Sequence, residues 1–98
     1  MKYKNNEFFI DGVKLDKLAK KYSTPLYCYS YNKIRENIKY FKKTFKTINP
    51  LICFSVKSNS NKVLLREIGK LGLGADVVSV GELMKAISSG IKPKNIVF

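Results

Sequence analysis

Several residue types that build common functional sites are missing or scarce in this chain. Its 98 residues include no His and no Trp, and only two Cys, Cys28 and Cys53. Structural zinc sites are assembled from Cys and His at short spacings, so the sequence predicts no metal site. No G-x-S-x-G elbow and no Walker phosphate-binding loop occurs either, which excludes two frequent enzyme classes.

Long apolar runs are also absent. No run approaches the roughly 20 residues that would span a bilayer, and the N-terminal MKYKNNEFFIDG has neither a long apolar core nor a small-residue cleavage site. We therefore expect a cytoplasmic protein with no membrane association. Both Cys lie in apolar runs, PLYCYS and LICFSV, which is typical of small buried side chains in a reducing compartment rather than of a disulfide.

Arginine is scarce although the chain is strongly basic. The formal net charge is +12, carried by 17 Lys and by two Arg, Arg35 and Arg66. Nucleic-acid recognition usually depends on the arginine fork, and these lysines are spread along the chain. We therefore expect no nucleic-acid partner, and a basic interaction module remains the weakest of the alternatives.

The first 30 residues predict a short segment that contains β-structure. Asp11-Gly12 between apolar residues in FFIDGVKL favours a two-residue hairpin, because both tolerate the positive φ of a type I′ turn. Apolar spacing predicts a helix over 15–22, with Thr24-Pro25 ending it. The aromatic run LYCYSY that follows predicts a strand.

The next helix has the most regular apolar spacing in the chain. Its apolar positions recur at intervals of four and three, which predicts a stripe that faces a core. Asn49-Pro50 is expected to end the helix. The stripe comprises Ile34, Ile38, Phe41, Phe45 and Ile48.

From residue 51 onwards the pattern changes to an alternation of strands and helices. The continuous apolar run LICFSV predicts a strand over 51–57 that is buried on both faces. SNSN offers N-caps for a helix that Gly72 ends. ADVVS then predicts a second strand over 75–79, and S-V-G-E predicts the capped start of another helix. NIVF then predicts a third strand over 95–98. This order indicates βαβ units, a parallel sheet, the α/β class and a piece of a larger protein.

Lys57 is the strongest candidate for a catalytic residue. It closes the buried run LICFSVK, at the carboxyl end of the first parallel strand, where ligands and catalytic groups collect in α/β folds. Partial desolvation there would disfavour the ammonium form and free the amine for covalent chemistry. The alternative is a lysine that simply marks where the strand leaves the core.

Three blocks of sequence carry a resemblance to a known family. F-S-V-K-S-N-S-N, the downstream L-G-L-G-A-D-V-V-S-V-G-E-L and the upstream S-T-P-L-Y-C-Y-S resemble the diaminopimelate decarboxylases, which use pyridoxal phosphate. The resemblance extends from about residue 8 to Phe98. Two positions depart from it: Ser58 stands where Ala is more usual, and Val80 where Gly is more usual.

The resemblance implies a fold and a set of site residues. Residues 1–30 would belong to a β-rich domain or link it to the barrel, and residues 31–98 would form the first part of a TIM-type (β/α)8 barrel that binds pyridoxal 5'-phosphate. Lys57 matches the catalytic lysine that holds this cofactor. Asp76 matches an acidic residue near the cofactor, with a solvated or capping carboxylate as the equal alternative. Ser79 and Glu82 are explained by the capping box alone.

The resemblance also implies an activity and its partners. The full-length protein would be a homodimer that removes CO₂ from the small amino acid meso-diaminopimelate to give L-lysine. The glycine-rich phosphate loop and the substrate-binding residues would lie beyond Phe98, so the 98 residues alone are expected to be inactive. Carboxynorspermidine, ornithine and arginine decarboxylases remain alternatives, as does a non-catalytic pyridoxal-phosphate-binding barrel, although the FFIDGVKL and TPLYCYSY segments argue against the latter.

Overall fold

A computed structural model describes residues 1–98. The chain forms two compact units, Met1–Thr44 and Phe45–Phe98. The first contains a three-stranded antiparallel sheet and the second a three-stranded parallel sheet. The domain boundary that we expect between residues 30 and 31 stays a prediction.

The sheet of the first unit is built from two successive tight turns. The predicted hairpin is confirmed, since Ile10 pairs with Val13 across Asp11 (φ 49°) and Gly12 (φ 81°). A second turn, which the sequence reading missed, lies at residues 5–6, where two Asn have φ of 51° and 58°. Asn adopts the left-handed region more readily than most residues. The strands are β1 (Lys2–Lys4), β2 (Glu7–Ile10) and β3 (Val13–Lys14), in spatial order β1-β2-β3.

The first helix is confirmed, but the strand expected after it is wrong. Helix α1 spans Leu15–Tyr22, and its apolar face is half-buried except for Tyr22, which is 59% exposed. Residues 26–30 of LYCYSY have no regular secondary structure, and Tyr31 already begins the next helix. Aromatic side chains favour a strand only where a neighbouring strand supplies the ladder, and this run pairs with none.

Helix α2 (Tyr31–Thr44) ends earlier than the apolar spacing predicted. The Thr44 hydroxyl donates to the carbonyl of Tyr40 at 2.9 Å, a back-bond that competes with helix continuation. Residues 45–48 turn instead, and the amide of Asn49 closes that turn on the Phe45 carbonyl at 3.1 Å. Only the first two positions of the expected stripe, Ile34 and Ile38, are even half-buried.

The second unit confirms the predicted alternation of parallel strands and helices. β5 pairs in parallel with β4 on one side and with β6 on the other, and all three strands are shorter than expected. β4 leaves the ladder after Ser55, because Val56–Ser58 tighten into a 3₁₀ turn. The elements are β4 (Cys53–Ser55), α3 (Lys62–Lys70), β5 (Gly74–Asp76), α4 (Val80–Ser88) and β6 (Ile96–Val97), with a 3₁₀ turn at Pro93–Asn95.

The core of the second unit lies between the sheet and the two helices. Burial of these apolar side chains is the main source of its stability. The core side chains are at most 4% exposed. They belong to Val56, Leu65, Ile68, Leu73, Ala75, Val77, Ala86 and Ile91.

Both helices of the second unit begin and end where the sequence predicted. The Asn61 side chain accepts from the amides of Val63 and Leu64, which caps α3. After α3, Gly72 (φ 78°) turns the chain, and the Leu73 amide donates back to the Ile68 carbonyl at 3.3 Å. These bonds fix where α3 begins and where the chain turns back into β5.

Candidate functional site

The candidate site lies at the carboxyl edge of the parallel sheet. The register pairs Ser55 with Asp76 and Asp76 with Val97, so Asp76 is the last residue of the central strand. Lys57 follows Ser55 by two residues, in the turn that leaves the same edge. The structure therefore brings the ends that carry the two predicted site residues to neighbouring positions.

One face of the parallel sheet carries small and polar residues. Side chains alternate along a strand, so Cys53 and Ser55 share a face with their partners Gly74 and Asp76. The opposite face carries Ala75, which is fully buried. Burial, assisted by the negative charge of Asp76, raises the pKa of the Cys53 thiol. Cys53 therefore stays a protonated thiol at neutral pH, in keeping with a packing role.

Lys57 is exposed, which corrects the expectation that its position would desolvate it. Its side chain makes no hydrogen bond and no ion pair with any residue of the chain. The strand run ends in a 3₁₀ turn rather than in extended backbone, and Lys57 is the middle residue of this turn. The lysine side chain is therefore accessible to a ligand.

The backbone that carries Lys57 is fixed on both sides. Val56 is fully buried directly before it. Behind it, the Ser58 hydroxyl donates to the Ser55 carbonyl at 2.7 Å, and the Asn59 amide donates to the Val56 carbonyl at 3.1 Å. The flexible side chain thus extends from a defined backbone position.

Asn59 and Ser58 have local structural roles. The Asn59 side-chain oxygen accepts from the amide of Asn61 at 3.0 Å, which confirms the predicted turn role. The Ser58 hydroxyl, at a position where Ala is more usual, is occupied by its bond to the preceding strand. The substitution therefore leaves the lysine itself untouched.

Ser79 and Glu82 cap α4, as predicted. The Ser79 hydroxyl accepts from the amide of Glu82 at 3.2 Å, and the Glu82 carboxylate accepts from the amide of Val78 at 2.9 Å. The carboxylate thus reaches one residue further back than in the usual capping box. Both side chains are accounted for by the helix start.

Two absences complete the description of the site. None of the helices combines the length and the apolar character that crossing a membrane requires. Nowhere do three or more His, Cys, Asp or Glu side chains cluster in a way that could hold a metal ion.

Comparison with known proteins shows the family to which this chain belongs. Residues 31–98 match the model of the pyridoxal-binding domain of pyridoxal-dependent decarboxylases, and the chain belongs to this family. A diaminopimelate decarboxylase of Aquifex aeolicus is 46% identical over all 98 residues. One of Pseudomonas aeruginosa is 36% identical over 98% of this chain and 23% of its own length.

Solved structures agree with this assignment. The diaminopimelate decarboxylase of M. jannaschii, crystallised in complex with L-lysine, superposes with a TM-score of 0.94 at 39% identity over 99% of this chain. The Helicobacter pylori enzyme, also with L-lysine, has a TM-score of 0.80 at 40% identity over 86% of this chain. The chain spans only 24% and 21% of those two chains. It is therefore similar to about a quarter of each enzyme.

The residues present fit pyridoxal phosphate. This cofactor needs an accessible primary amine for its aldehyde, and Lys57 offers one at the sheet edge with no competing partner. The Asp76 carboxylate, at the end of the neighbouring strand, makes no hydrogen bond with the chain. The donor set thus matches the cofactor's requirement for covalent attachment.

One contact near the site was missed by the sequence reading. The Lys85 ammonium donates to the Ser60 hydroxyl at 2.9 Å, across 25 residues of sequence. Neither residue belongs to a motif that predicts a partner, because the contact depends on how α4 packs against the segment after β4. Nothing in the local sequence could have indicated it.

Proposed function

We propose that this chain supplies part of a diaminopimelate decarboxylase, an enzyme that removes CO₂ from meso-diaminopimelate to give L-lysine. The observation that carries the proposal is the position of Lys57, an unpaired and accessible amine at the carboxyl edge of a parallel sheet. The names of the relatives at 36–46% identity support the substrate. The lysine bound to the M. jannaschii enzyme is the expected product.

In this proposal the parallel unit is the start of a barrel. β4, α3, β5, α4 and β6 would be the first βα units of a TIM-type (β/α)8 barrel, with its functional end at the strands' carboxyl edge. Residues 1–30 would belong to a β-rich domain or link it to the barrel. The full-length protein would work as a homodimer in the cytoplasm, with its phosphate loop and substrate-binding residues contributed from outside these 98 residues.

The roles of the chain's own residues follow from their geometry. Lys57 would hold pyridoxal phosphate through its amine, and the bound cofactor would supply a ring that accepts the electron pair left on the substrate's α-carbon as CO₂ departs. Lys57 would bind and orient the cofactor from a turn that the buried Val56 anchors. Asp76, at the end of the neighbouring strand, would place a carboxylate on the same edge of the sheet. The Cys53 thiol, with its raised pKa, contributes packing and no nucleophile.

The direct test is to find which lysine carries the cofactor in the full-length enzyme. Borohydride reduction followed by peptide mass mapping should place the pyridoxyl label on Lys57. Lys57→Ala removes the amine and should lower decarboxylation of meso-diaminopimelate by orders of magnitude. A label on another lysine would refute the assignment of Lys57.

A matched control separates loss of the amine from loss of a charge. Lys62→Ala removes a neighbouring exposed lysine at the start of α3 and should leave both the label and the activity unchanged. Assays with ornithine, arginine and carboxynorspermidine test the substrate. A preference for any of these over meso-diaminopimelate would keep the cofactor site and overturn the proposed substrate.

A further inference from the structure

The segment that follows Lys57 has one side-chain hydrogen bond to a distant part of the chain. The side chains of Ser58, Asn59 and Asn61 bond only to residues within three positions of themselves. Ser60, in contrast, accepts from the Lys85 ammonium of α4 at 2.9 Å. This bond ties the segment after β4 to the helix of the second βα unit.

The Lys85 side chain does not form an ion pair with Glu82 of its own helix. Glu82 lies one helical turn before it, at the spacing at which Lys70 pairs with Glu67 at 2.7 Å in α3. The Glu82 carboxylate instead accepts from the Val78 amide and holds the start of α4. Lys85 therefore extends from a helix whose N-terminus is fixed, and its ammonium is directed to Ser60.

We propose that Lys85 is a positioning residue for Lys57, acting through its hydrogen bond to Ser60. This inference rests on the proposed function of Lys57 as the residue that holds the cofactor. The buried Val56 fixes the backbone before the lysine, and the bonds of Ser58 and Asn59 hold the turn locally. The Lys85–Ser60 bond is the side-chain hydrogen bond that ties the segment after the lysine to α4. Without this hydrogen bond, the side chains of residues 58–61 bond only to near neighbours in sequence. The position of the Lys57 amine relative to the cofactor then becomes less defined.

The test uses full-length enzyme with Lys85→Met, Ser60→Ala and the double variant. Met keeps the length of the side chain and removes the donor. Amide hydrogen exchange of residues 57–61, measured with the cofactor bound and after its removal, should be roughly three- to tenfold faster in each single variant. The double variant should be no faster than either single one, because both remove the same bond. Lys85→Arg, which can still donate, should restore slow exchange.

A spectroscopic readout separates positioning from general stability. The pH midpoint of the bound cofactor's absorbance change should move in Lys85→Met and Ser60→Ala and return in Lys85→Arg. Lys70→Met, which removes an exposed lysine that is also hydrogen-bonded, should move neither this midpoint nor the exchange of 57–61. Faster exchange in β4 and β5 as well would indicate general loosening and would overturn the positioning role.

The outcomes distinguish this inference from the proposed function. If borohydride labels Lys57 in the unmodified enzyme while exchange and absorbance stay unchanged in Ser60→Ala, only the positioning role of Lys85 is wrong. If the label lies on another lysine, the proposed function fails, and the positioning role fails with it.

Discussion

At the scale of single residues, Asp11 joins two elements of the first unit. It forms the hairpin turn with a φ of 49°, and its carboxylate accepts from the Ser30 hydroxyl at 2.6 Å and from the Asn32 amide at 3.0 Å. The Ser30 hydroxyl in turn accepts from the Lys33 amide at 3.0 Å. At the start of α2, the free amide of Asn32 is thus satisfied by a residue 21 positions upstream, and that of Lys33 by the Ser30 hydroxyl.

These bonds predict a pH dependence for the start of α2. The hydrogen bond from Ser30, followed by the amide of Asn32, lowers the pKa of Asp11 below its ordinary 3.8. A lowered pKa in the folded state means that the stabilisation is complete above the unfolded value and is lost as the pH falls through the folded one. Asp11→Asn tolerates the same positive φ but carries no charge.

Amide exchange at residues 32–33 of the full-length protein measures the effect. We expect faster exchange in Asp11→Asn than in the unmodified protein at pH 7, after correction for intrinsic rates. The difference should shrink as the pH falls below about 4, where the unmodified carboxylate also becomes protonated. A difference that stays constant with pH would contradict a role for the charge.

Ser89 carries a buried hydroxyl that has no hydrogen-bond partner. The residue is 5% exposed, and its Oγ is unsatisfied. Because an unpaired buried polar group costs about 1–3 kcal/mol, Ser89→Ala should raise the free energy of unfolding by about 1 kcal/mol. Ser88→Ala is the matched control, since that hydroxyl is exposed and donates to the Lys85 carbonyl, and it should change stability by less than about 0.5 kcal/mol. Denaturant titration of both variants provides the comparison.

At the scale of elements, the parallel sheet requires glycine at its most crowded point. A Cβ on Gly74 would lie 2.1 Å from the Asn95 carbonyl oxygen and 2.9 Å from the Cys53 sulfur. The Asn95 oxygen belongs to the backbone, so it cannot move aside without displacing the segment that leads into β6. Gly74 is therefore what lets the segment leading into β6 pack beside β5.

This crowding predicts opposite effects for two glycine substitutions. Gly74→Ala should lower the free energy of unfolding by at least about 2 kcal/mol through overpacking. Gly81→Ala lies in α4, where the nearest atom to the new Cβ is the Ser79 hydroxyl at 3.9 Å, and should raise stability by roughly 0.5 kcal/mol. Equal effects of the two substitutions in chemical unfolding would refute the steric account.

Helices were predicted more faithfully than strands, and the reason is physical. The ends of α3 and α4 depend on caps within a few residues, such as Asn61 and Ser79, which are readable in the sequence. Strand length depends on where a partner strand begins, and β4 pairs over only Cys53–Ser55 because its partner starts at Gly74. LYCYSY has strand-forming residues but no partner, so propensity alone misled the prediction.

At the scale of the whole molecule, the site was predictable in position but not in environment. The run LICFSVK indicated that Lys57 would lie at the carboxyl edge of a parallel sheet, and the βαβ order indicated which strand would lie beside it. The solvent exposure of Lys57 and the bond between Lys85 and Ser60 depend on tertiary packing. Such contacts leave no periodic trace in a sequence.

The charge of the molecule is carried mainly by solvated lysines. Its 7 acidic residues cannot neutralise 19 basic ones, and the four ion pairs join side chains that all remain partly or largely exposed. Exposed pairs contribute at most about 1 kcal/mol each. The excess of lysine therefore affects solubility and association more than it affects the fold.

The isolation of the Lys57 side chain has a consequence for damaged versions of the protein. Within these residues it contributes no bond to folding, so its replacement would leave the surrounding unit intact. Cellular quality control acts on chains that unfold and expose apolar surface. A chain that has lost this lysine would therefore pass that surveillance and persist at normal abundance without the amine that Lys57 supplies.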